Sequence, residues 1–307
     1  MSSSDKLREV LARLARESRA AATLTQDGHV FDAVDSITKL EAVLAIESAF
    51  GIELSEAELL KVRTFAELAQ IVERKSIAVD AKEVPATTAA ATVSAQPLPK
   101  VPEAPWSGPA AACVAVLMRV WFRITVRGAP YVPKSEACLL CANHSSHLDS
   151  LLLLASAGGW RHRLVFAAAK DYFFSRARIA RFTARALPMI PWERTGDVAA
   201  MRENLRQLAA CREAGRIVVF FPEGSRSPNG ELQTFKDGLA FFASRVDLPV
   251  LPCWIEGTHR SLRKGAWFPR PGRLRIQFGE LLRLQNDESA FAGRVCSKLM
   301  ELRDPPA

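Results

Sequence analysis

Residues 137–149 read Ala137-Cys-Leu-Leu-Cys-Ala-Asn-His-Ser-Ser-His-Leu-Asp149, an apolar run broken by polar residues before Leu151 resumes it. The run Ala137 to Ala142 suits a buried strand, the polar break a loop, and Leu151 to Ala155 the start of a helix. That junction matters because a regular helix would rotate His144 and Asp149, five positions apart, by roughly 500° onto different flanks. Across a loop they can meet. An imidazole that titrates near neutrality can accept a proton, and a carboxylate beside it can fix its tautomer, so His144 is the candidate base and Asp149 its orienter.

A second strand-then-turn pattern follows at Phe221-Pro-Glu-Gly-Ser-Arg226, directly after the apolar run Ile217 to Phe221. Gly224 permits close backbone approach, Glu223 can accept a hydrogen bond from a substrate hydroxyl, and Arg226 can grip phosphate. Further apolar runs at Val250 to Ile255 and Leu274 to Phe278 alternate with helical patterns at Val198 to Arg212 and Leu239 to Arg245. An α/β domain with a mixed sheet flanked by helices is the expected fold. No Gly-x-Ser-x-Gly elbow supplies a serine nucleophile, which argues against an esterase of the α/β-hydrolase kind.

The N-terminal part has a different character. Leu7, Val10, Leu11 and Leu14 recur at helical spacing, Ile37 to Phe50 gives a second helical pattern and Phe65 to Ile71 a third, so an all-α bundle is expected. Asp35-Ser36 opens the second helix, where a short polar side chain can cap the first amides. Between the two parts, residues 76–105 turn to Ala, Thr, Val and Pro, with Pro85, Pro97, Pro99, Pro102 and Pro105. This is read as a flexible linker of roughly thirty residues whose full extension is on the order of 100 Å. Domains of residues 1–75 and 106–307 flank it.

With 307 residues, 49% hydrophobic and 24% charged, the chain can bury two cores. Through Lys75 there are 10 Lys plus Arg against 13 Asp plus Glu, net −3, and the remainder carries 31 against 20, net +11. The arginines are not presented as an aromatic-interleaved stripe, so nucleic acid is not an expected partner. Two segments mix arginine with apolar residues in a way that suits an anionic membrane surface. One is Val114 to Val126, read as a helix with Arg119 and Arg123, and the other is Phe173 to Leu187 with Arg176, Arg178, Arg181 and Arg185. No secretory signal and no run of eighteen apolar residues is visible, so the expected location is cytoplasmic, peripheral at the inner face of the membrane. The six cysteines lack framework or zinc-ligand spacing and are read as reduced thiols, with no metal.

The N-terminal part resembles acyl carrier proteins over residues 3–75. The resemblance rests on Asp35-Ser36-Ile37, the apolar periodicity through Ala45 to Phe50 and the following Gly-Ile-Glu-Leu. It implies a 4'-phosphopantetheine arm carried covalently on Ser36 and a phosphopantetheinyl transferase as partner, with Glu41 and Glu47 on an acidic recognition helix.

Residues 108–285 resemble the glycerolphosphate and lysophosphatidate acyltransferase family. His144-x4-Asp149, Ile190-Pro-Trp-Glu-Arg194, Phe221 to Arg226 and Val250-Leu-Pro252 stand in the order of that family's four motifs. The resemblance implies His144 as base and Asp149 as its partner. Arg194, Glu223, Gly224 and Arg226 would form the acceptor-binding group, with Pro252 in the wall of the acyl pocket; His147 is a spectator. Lys170 and Lys236 lie where the family often has basic residues. The donor would be an acyl thioester, either the chain's own carrier, another carrier or acyl-CoA, and the acceptor a lysophospholipid. Acylation of a specialised lipid or polyketide-type hydroxyl, a thioesterase, and a noncatalytic carrier scaffold are the alternatives.

Overall fold

The computed structural model describes residues 3–17, 36–80, 97–102, 109–170, 187–194, 197–236, 238–263, 266, 268–284 and 288–304. They form two compact units, residues up to Pro97 with Arg194–Glu203, and Leu98–Glu193 with Asn204–Ala307.

The first unit is helical: α1 (Ser3–Glu17), α2 (Ser36–Phe50), the short α3 (Glu56–Leu59) and α4 (Phe65–Asp80). Leu7 and Leu11 of α1, Leu40, Val43 and Ile46 of α2, and Leu68 and Val72 of α4 make its buried core. Two side-chain caps start its later helices, the second of them reciprocal. Ser55 N–H and Oγ–H donate to Glu58 Oε2 at 2.9 and 2.6 Å, and Thr64 N–H donates to Glu67 Oε2 at 3.0 Å while Glu67 N–H returns to Thr64 Oγ1. Both follow the Ser/Thr-x-x-Glu pattern that satisfies the open amides of a first turn. α4 continues through Asp80, past Lys75 and into the stretch read as linker. Glu47, expected on a recognition face, is 3% exposed and accepts the Leu54 N–H at 2.5 Å.

In the second unit, α5 (Pro109–Trp121) leads straight into β1 (Phe122–Arg127), followed by β2 (Cys138–Ala142), α6 (Leu148–Ser156), β3 (Leu164–Ala169) and β4 (Met189–Trp192). The helix α7 (Val198–Glu213) precedes β5 (Ile217–Phe220), α8 (Gly238–Arg245), β6 (Val250–Glu256) and β7 (Gly272–Phe278), and α9 (Glu288–Arg303) follows. The single helix expected over Val114 to Val126 is therefore corrected to a helix and a strand. Phe122, Ile124 and Val126 alternate with exposed Arg123, Thr125 and Arg127, a period of two that pairs with β7 rather than a period of 3.6. Among the described residues no helix is long and apolar enough to cross a membrane. The expected cationic segment Phe173 to Leu187 lies outside the described residues except for Leu187.

The strands form one seven-stranded mixed sheet in the order β1-β7-β6-β2-β5-β3-β4. β2 pairs in parallel with both β5 and β6, and β3 with β5 and β4, whereas β7 runs antiparallel to β6 and parallel to β1. The five residues of β2 are all buried, as a central strand covered on both faces requires, and this is why Cys138 to Ala142 is uniformly apolar. Burial also pushes the Cys138 thiol up to about 12, and all six cysteines are free.

Strand direction decides where chemistry can sit. β2, β5, β3, β4 and β6 all deliver their carboxyl ends to one edge of the sheet, the edge at which open α/β sheets hold their ligands. The opposite edge is tied by buried Arg163. Its guanidinium donates to the Gly215 carbonyl at 2.9 Å, the Glu136 carbonyl at 2.5 Å and the Pro133 carbonyl, gathering the entries to β5 and β2 beside the start of β3.

Candidate active site

Where β2 ends, Asn143 is buried and its side chain repeats a strand pairing. It donates Nδ2–H to the Ile255 carbonyl at 2.9 Å and accepts the Ile255 N–H at 2.7 Å. This fixes the last residue before His144 to β6. The backbone then turns, and Asp149, the second residue of α6, comes back under the turn. Its Oδ2 accepts Ser145 N–H at 2.8 Å, Ser146 N–H at 2.9 Å and His144 Nδ1–H at 2.8 Å.

That convergence sets the state of the imidazole. The Asp149 side chain is fully buried, sits in the first turn of a helix where partial positive charge favours a carboxylate, and uses one oxygen on three donors. A carboxylate can only accept, so the proton is on Nδ1 and the Nε2 lone pair of His144 is free to accept. The ring is further held by Phe221, stacked on it at 4.0 Å between centroids and 17° between planes.

Phe221 to Arg226 follows β5, the parallel neighbour of β2, and reaches His144 through its backbone. Glu223 Oε1 accepts the His144 N–H at 2.7 Å, Glu223 Oε2 accepts the Gln233 N–H at 3.2 Å, and Ser227 N–H donates to the His144 carbonyl at 2.8 Å. Glu223 is 4% exposed, and burial raises its carboxyl pKa against the lowering effect of the two amides. Both its oxygens face backbone donors, so the carboxylate holds the His144 backbone in place.

Gly224 sits at φ 68°, left-handed backbone, and a β-carbon there would fall 2.8 Å from Lys236 Cε. Lys236 N–H donates to the Pro222 carbonyl at 2.9 Å, so residues 222–224 and 233–236 run side by side. Arg226, partly exposed, makes no side-chain hydrogen bond or ion pair among the described residues. Partial burial of the ring, and then the charge of Arg226, lowers the pKa of His147. Pro252 stands in β6 beside Cys141 of β2, and Lys170 pairs with Glu193.

The structure thus brings together His144, Asp149, Glu223, Gly224 and Arg226. Arg194 is exposed after β4, and Ser36 is exposed as the first residue of α2; both belong to the first unit. Asp35 lies outside the described residues. Asn143, Phe221 and Gln233 are site residues that the sequence motifs did not single out.

Family models match two separate stretches of the chain. Residues 123–256 match the Acyltransferase family, and residues 5–72 match the Phosphopantetheine attachment site family. The 1-acyl-sn-glycerol-3-phosphate acyltransferase alpha of Ovis aries is 31% identical over 130 residues, 42% of this chain and 44% of its own length. The 1-acyl-sn-glycerol-3-phosphate acyltransferase of Limnanthes alba is 23% identical over 160 residues, 50% and 53%. The chain spans about half the length of the curated relatives it matches. A crystal structure of the 1-acyl-sn-glycerophosphate acyltransferase PlsC from Thermotoga maritima superposes with a TM-score of 0.51 at 25% identity, over 64% of this chain and 79% of that one. Residues 5–72 therefore match phosphopantetheine-attachment domains and residues 123–256 the acyltransferase family, and the curated relatives matched are 1-acyl-sn-glycerol-3-phosphate acyltransferases.

Proposed function

We propose that the chain is an O-acyltransferase that moves a fatty acyl group from a thioester to the hydroxyl of a lysophospholipid such as 1-acyl-sn-glycerol-3-phosphate. The observation that carries this is the His144 imidazole, bonded through Nδ1 to Asp149 and left with an accepting Nε2 at the carboxyl edge of the sheet. His144 Nε2 takes the acceptor hydroxyl proton as the oxygen attacks the thioester carbonyl. The carbon–sulfur bond then breaks, and the leaving thiolate takes the proton back from the imidazolium, so an ester and a thiol form without an acyl-enzyme. Arg226, whose guanidinium makes no ion pair among the described residues, binds the acceptor phosphate, Gly224 lets that phosphate approach the backbone, and Arg194 is a further acceptor-binding residue.

In this reading residues 1–75 are the carrier domain, residues 76–105 the linker and residues 106–307 the transferase domain. Ser36 carries the 4'-phosphopantetheine arm, placed there by a phosphopantetheinyl transferase, and its exposure at the head of α2 leaves the hydroxyl accessible for that modification. The arm presents the acyl donor, and the enzyme acts at the surface of a membrane that holds its acceptor.

The test is mass spectrometry of acylated, phosphopantetheinylated protein incubated with lysophosphatidic acid. Loss of the acyl group from Ser36 together with formation of phosphatidic acid is expected, and His144→Ala should keep its fold and lose transfer. Turnover retained in His144→Ala, or release of free fatty acid alone, would overturn the reading, the second in favour of a thioesterase.

A further inference from the structure

The segment that follows Phe221 to Arg226 forms one wall of a cleft of about 540 Å³, with residues 231–235 on one side and α9 on the other. Phe291, Val295 and Leu299 turn the apolar face of α9 into the core. Ala292, Cys296, Met300 and Arg303 recur at helical spacing along its flank as one stripe that lines the cleft. At the rise of an α-helix this stripe is about 16 Å long. Gln233 joins the cleft to the catalytic site: it lines the opposite wall, and its N–H donates to the Glu223 carboxylate whose other oxygen holds the His144 N–H. At one end the two walls are bridged by an exposed ion pair, Arg303 to Glu231 at 3.0 Å.

The lining says what fits. Gly293 stands in the interior of α9, where glycine is unfavourable, yet a β-carbon there would meet no atom within 4 Å. Neither a turn nor packing requires the glycine, and its effect is to keep the cleft wide. On the other wall, the N–H groups of Glu231, Gln233 and Lys236 are bonded to Asn229, Glu223 and the Pro222 carbonyl, whereas those of Leu232, Thr234 and Phe235 make no hydrogen bond among the described residues. A bare hydrocarbon chain laid on this wall would strip water from those donors and give nothing back. A ligand with amide carbonyls of its own satisfies them, and its methyl and methylene groups lie on Cys296 and on Met300, whose flexible thioether adapts to irregular shapes.

A phosphopantetheine arm has that chemistry. It carries amide groups along its length with methyl and methylene groups between them, a phosphate at one end, and at the other the thiol that holds an acyl group. Residues 5–72, matched to phosphopantetheine-attachment domains, bring such an arm to the reaction on the functional reading above.

We propose that the cleft between residues 231–235 and α9 binds the 4'-phosphopantetheine arm of the acyl donor, with the amide carbonyls of the arm on the open N–H groups and its phosphate outward at the Arg303 end. The proposal deepens the transferase reading and rests on it. An arm held here presents its thioester beside the loop that Glu223 ties to His144, and the acyl chain itself lies elsewhere.

The experiment reads binding without turnover. The full chain, produced without its own arm, is titrated in a calorimeter with S-methyl-4'-phosphopantetheine, which has no thiol to react, and is alkylated with iodoacetamide in the presence and absence of that probe. Saturable binding is expected, with the half-buried Cys296 protected and the exposed Cys113 not, as read by peptide mass spectrometry. Gly293→Phe should weaken binding by at least about tenfold, as overfilling a site does. Its melting temperature should not fall, because the position is exposed and a helix interior favours phenylalanine over glycine. In turnover the same variant should raise the KM for palmitoyl-4'-phosphopantetheine by a like factor, leave kcat and acceptor KM alone, and leave the KM of an N-acetylcysteamine thioester, which lacks most of the arm, unchanged. Wild-type protein that does not bind the probe, or a Gly293→Phe variant that binds it as the wild type does, overturns the proposal. A variant that binds the probe normally but turns from palmitoyl to octanoyl donors overturns it in favour of the acyl chain as occupant. Binding seen only when the nucleotide of CoA is attached overturns it in favour of a nucleotide site. His144→Ala should bind the probe like the wild type, so failure of the arm site and failure of the catalytic reading are separate results.

Discussion

At the scale of single residues, Asp149 and Glu223 do similar work by different means, and kinetics can separate them. Asp149 acts on the ring: all three donors meet its Oδ2, so an asparagine there can keep them with its one oxygen but removes the negative charge that stabilises the imidazolium formed when His144 takes the proton. Asp149→Asn should lower kcat by about 10²–10⁴-fold, the usual contribution of general acid–base catalysis, with little change in acceptor KM. Glu223 acts on the backbone that carries the ring. Glutamine supplies one accepting oxygen where the His144 and Gln233 amides need two, leaving a buried donor open at about 1–3 kcal/mol. If Glu223 positions His144, Glu223→Gln lowers kcat on the order of 10²-fold and leaves acceptor KM nearly alone, whereas a direct contact with acceptor would raise KM as well. His144 and Asp149 were legible from the sequence because the chemistry is in their side chains and the junction is visible in the apolar pattern. The task of Glu223 was not, because its partners are backbone amides 79 and 10 positions away, and a sequence shows only that a carboxylate is present.

At the scale of elements, the strands Ile217–Phe220, Val250–Glu256 and Gly272–Phe278 fall where the apolar runs place them, within a residue or two. Period alone decided the miss at β1. Phe122-Arg-Ile-Thr-Val-Arg127 alternates apolar and polar residues strictly and holds three β-branched residues, Ile124, Thr125 and Val126, a strand signature hidden by the helical run that abuts it without a break. The caps Ser55-x-x-Glu58 and Thr64-x-x-Glu67 were likewise readable as helix starts. Asn143 belongs to this scale too, since it welds β2 to β6 at the point where both strands end. Asn143→Ala would leave the buried Ile255 N–H and carbonyl without partners. At about 1–3 kcal/mol for each open group, the melting temperature of the transferase unit should fall by several degrees in calorimetry, with a further loss of kcat as His144 loosens. Unchanged melting would mean that the two bonds are replaced by water and that the strand ends hold without them.

At the scale of the whole molecule, the sequence divides the charge as it divides the domains, −3 through Lys75 and +11 beyond, which favours encounter between an acidic carrier and a basic transferase. Tethering adds to that encounter through concentration. On the proposed reading of residues 76–105 as a linker, the carrier stands near its own catalytic domain at about the millimolar range, whatever the protein concentration in the tube. Mixing two inactive full-length variants tests whether the chain uses this. Ser36→Ala keeps a catalytic site without an arm, and His144→Ala keeps an arm without a base, so any product must come from a carrier on one chain serving the site of another. On the proposed reading, wild-type turnover per acyl arm is independent of concentration, whereas the mixture at micromolar protein works at roughly a thousandth of that rate and rises in proportion to concentration. A mixture that matches the wild type would mean that the arm routinely serves neighbouring chains. The fusion would then act by co-localising carriers at a surface, and its linker would set how far each arm can reach for a partner's site.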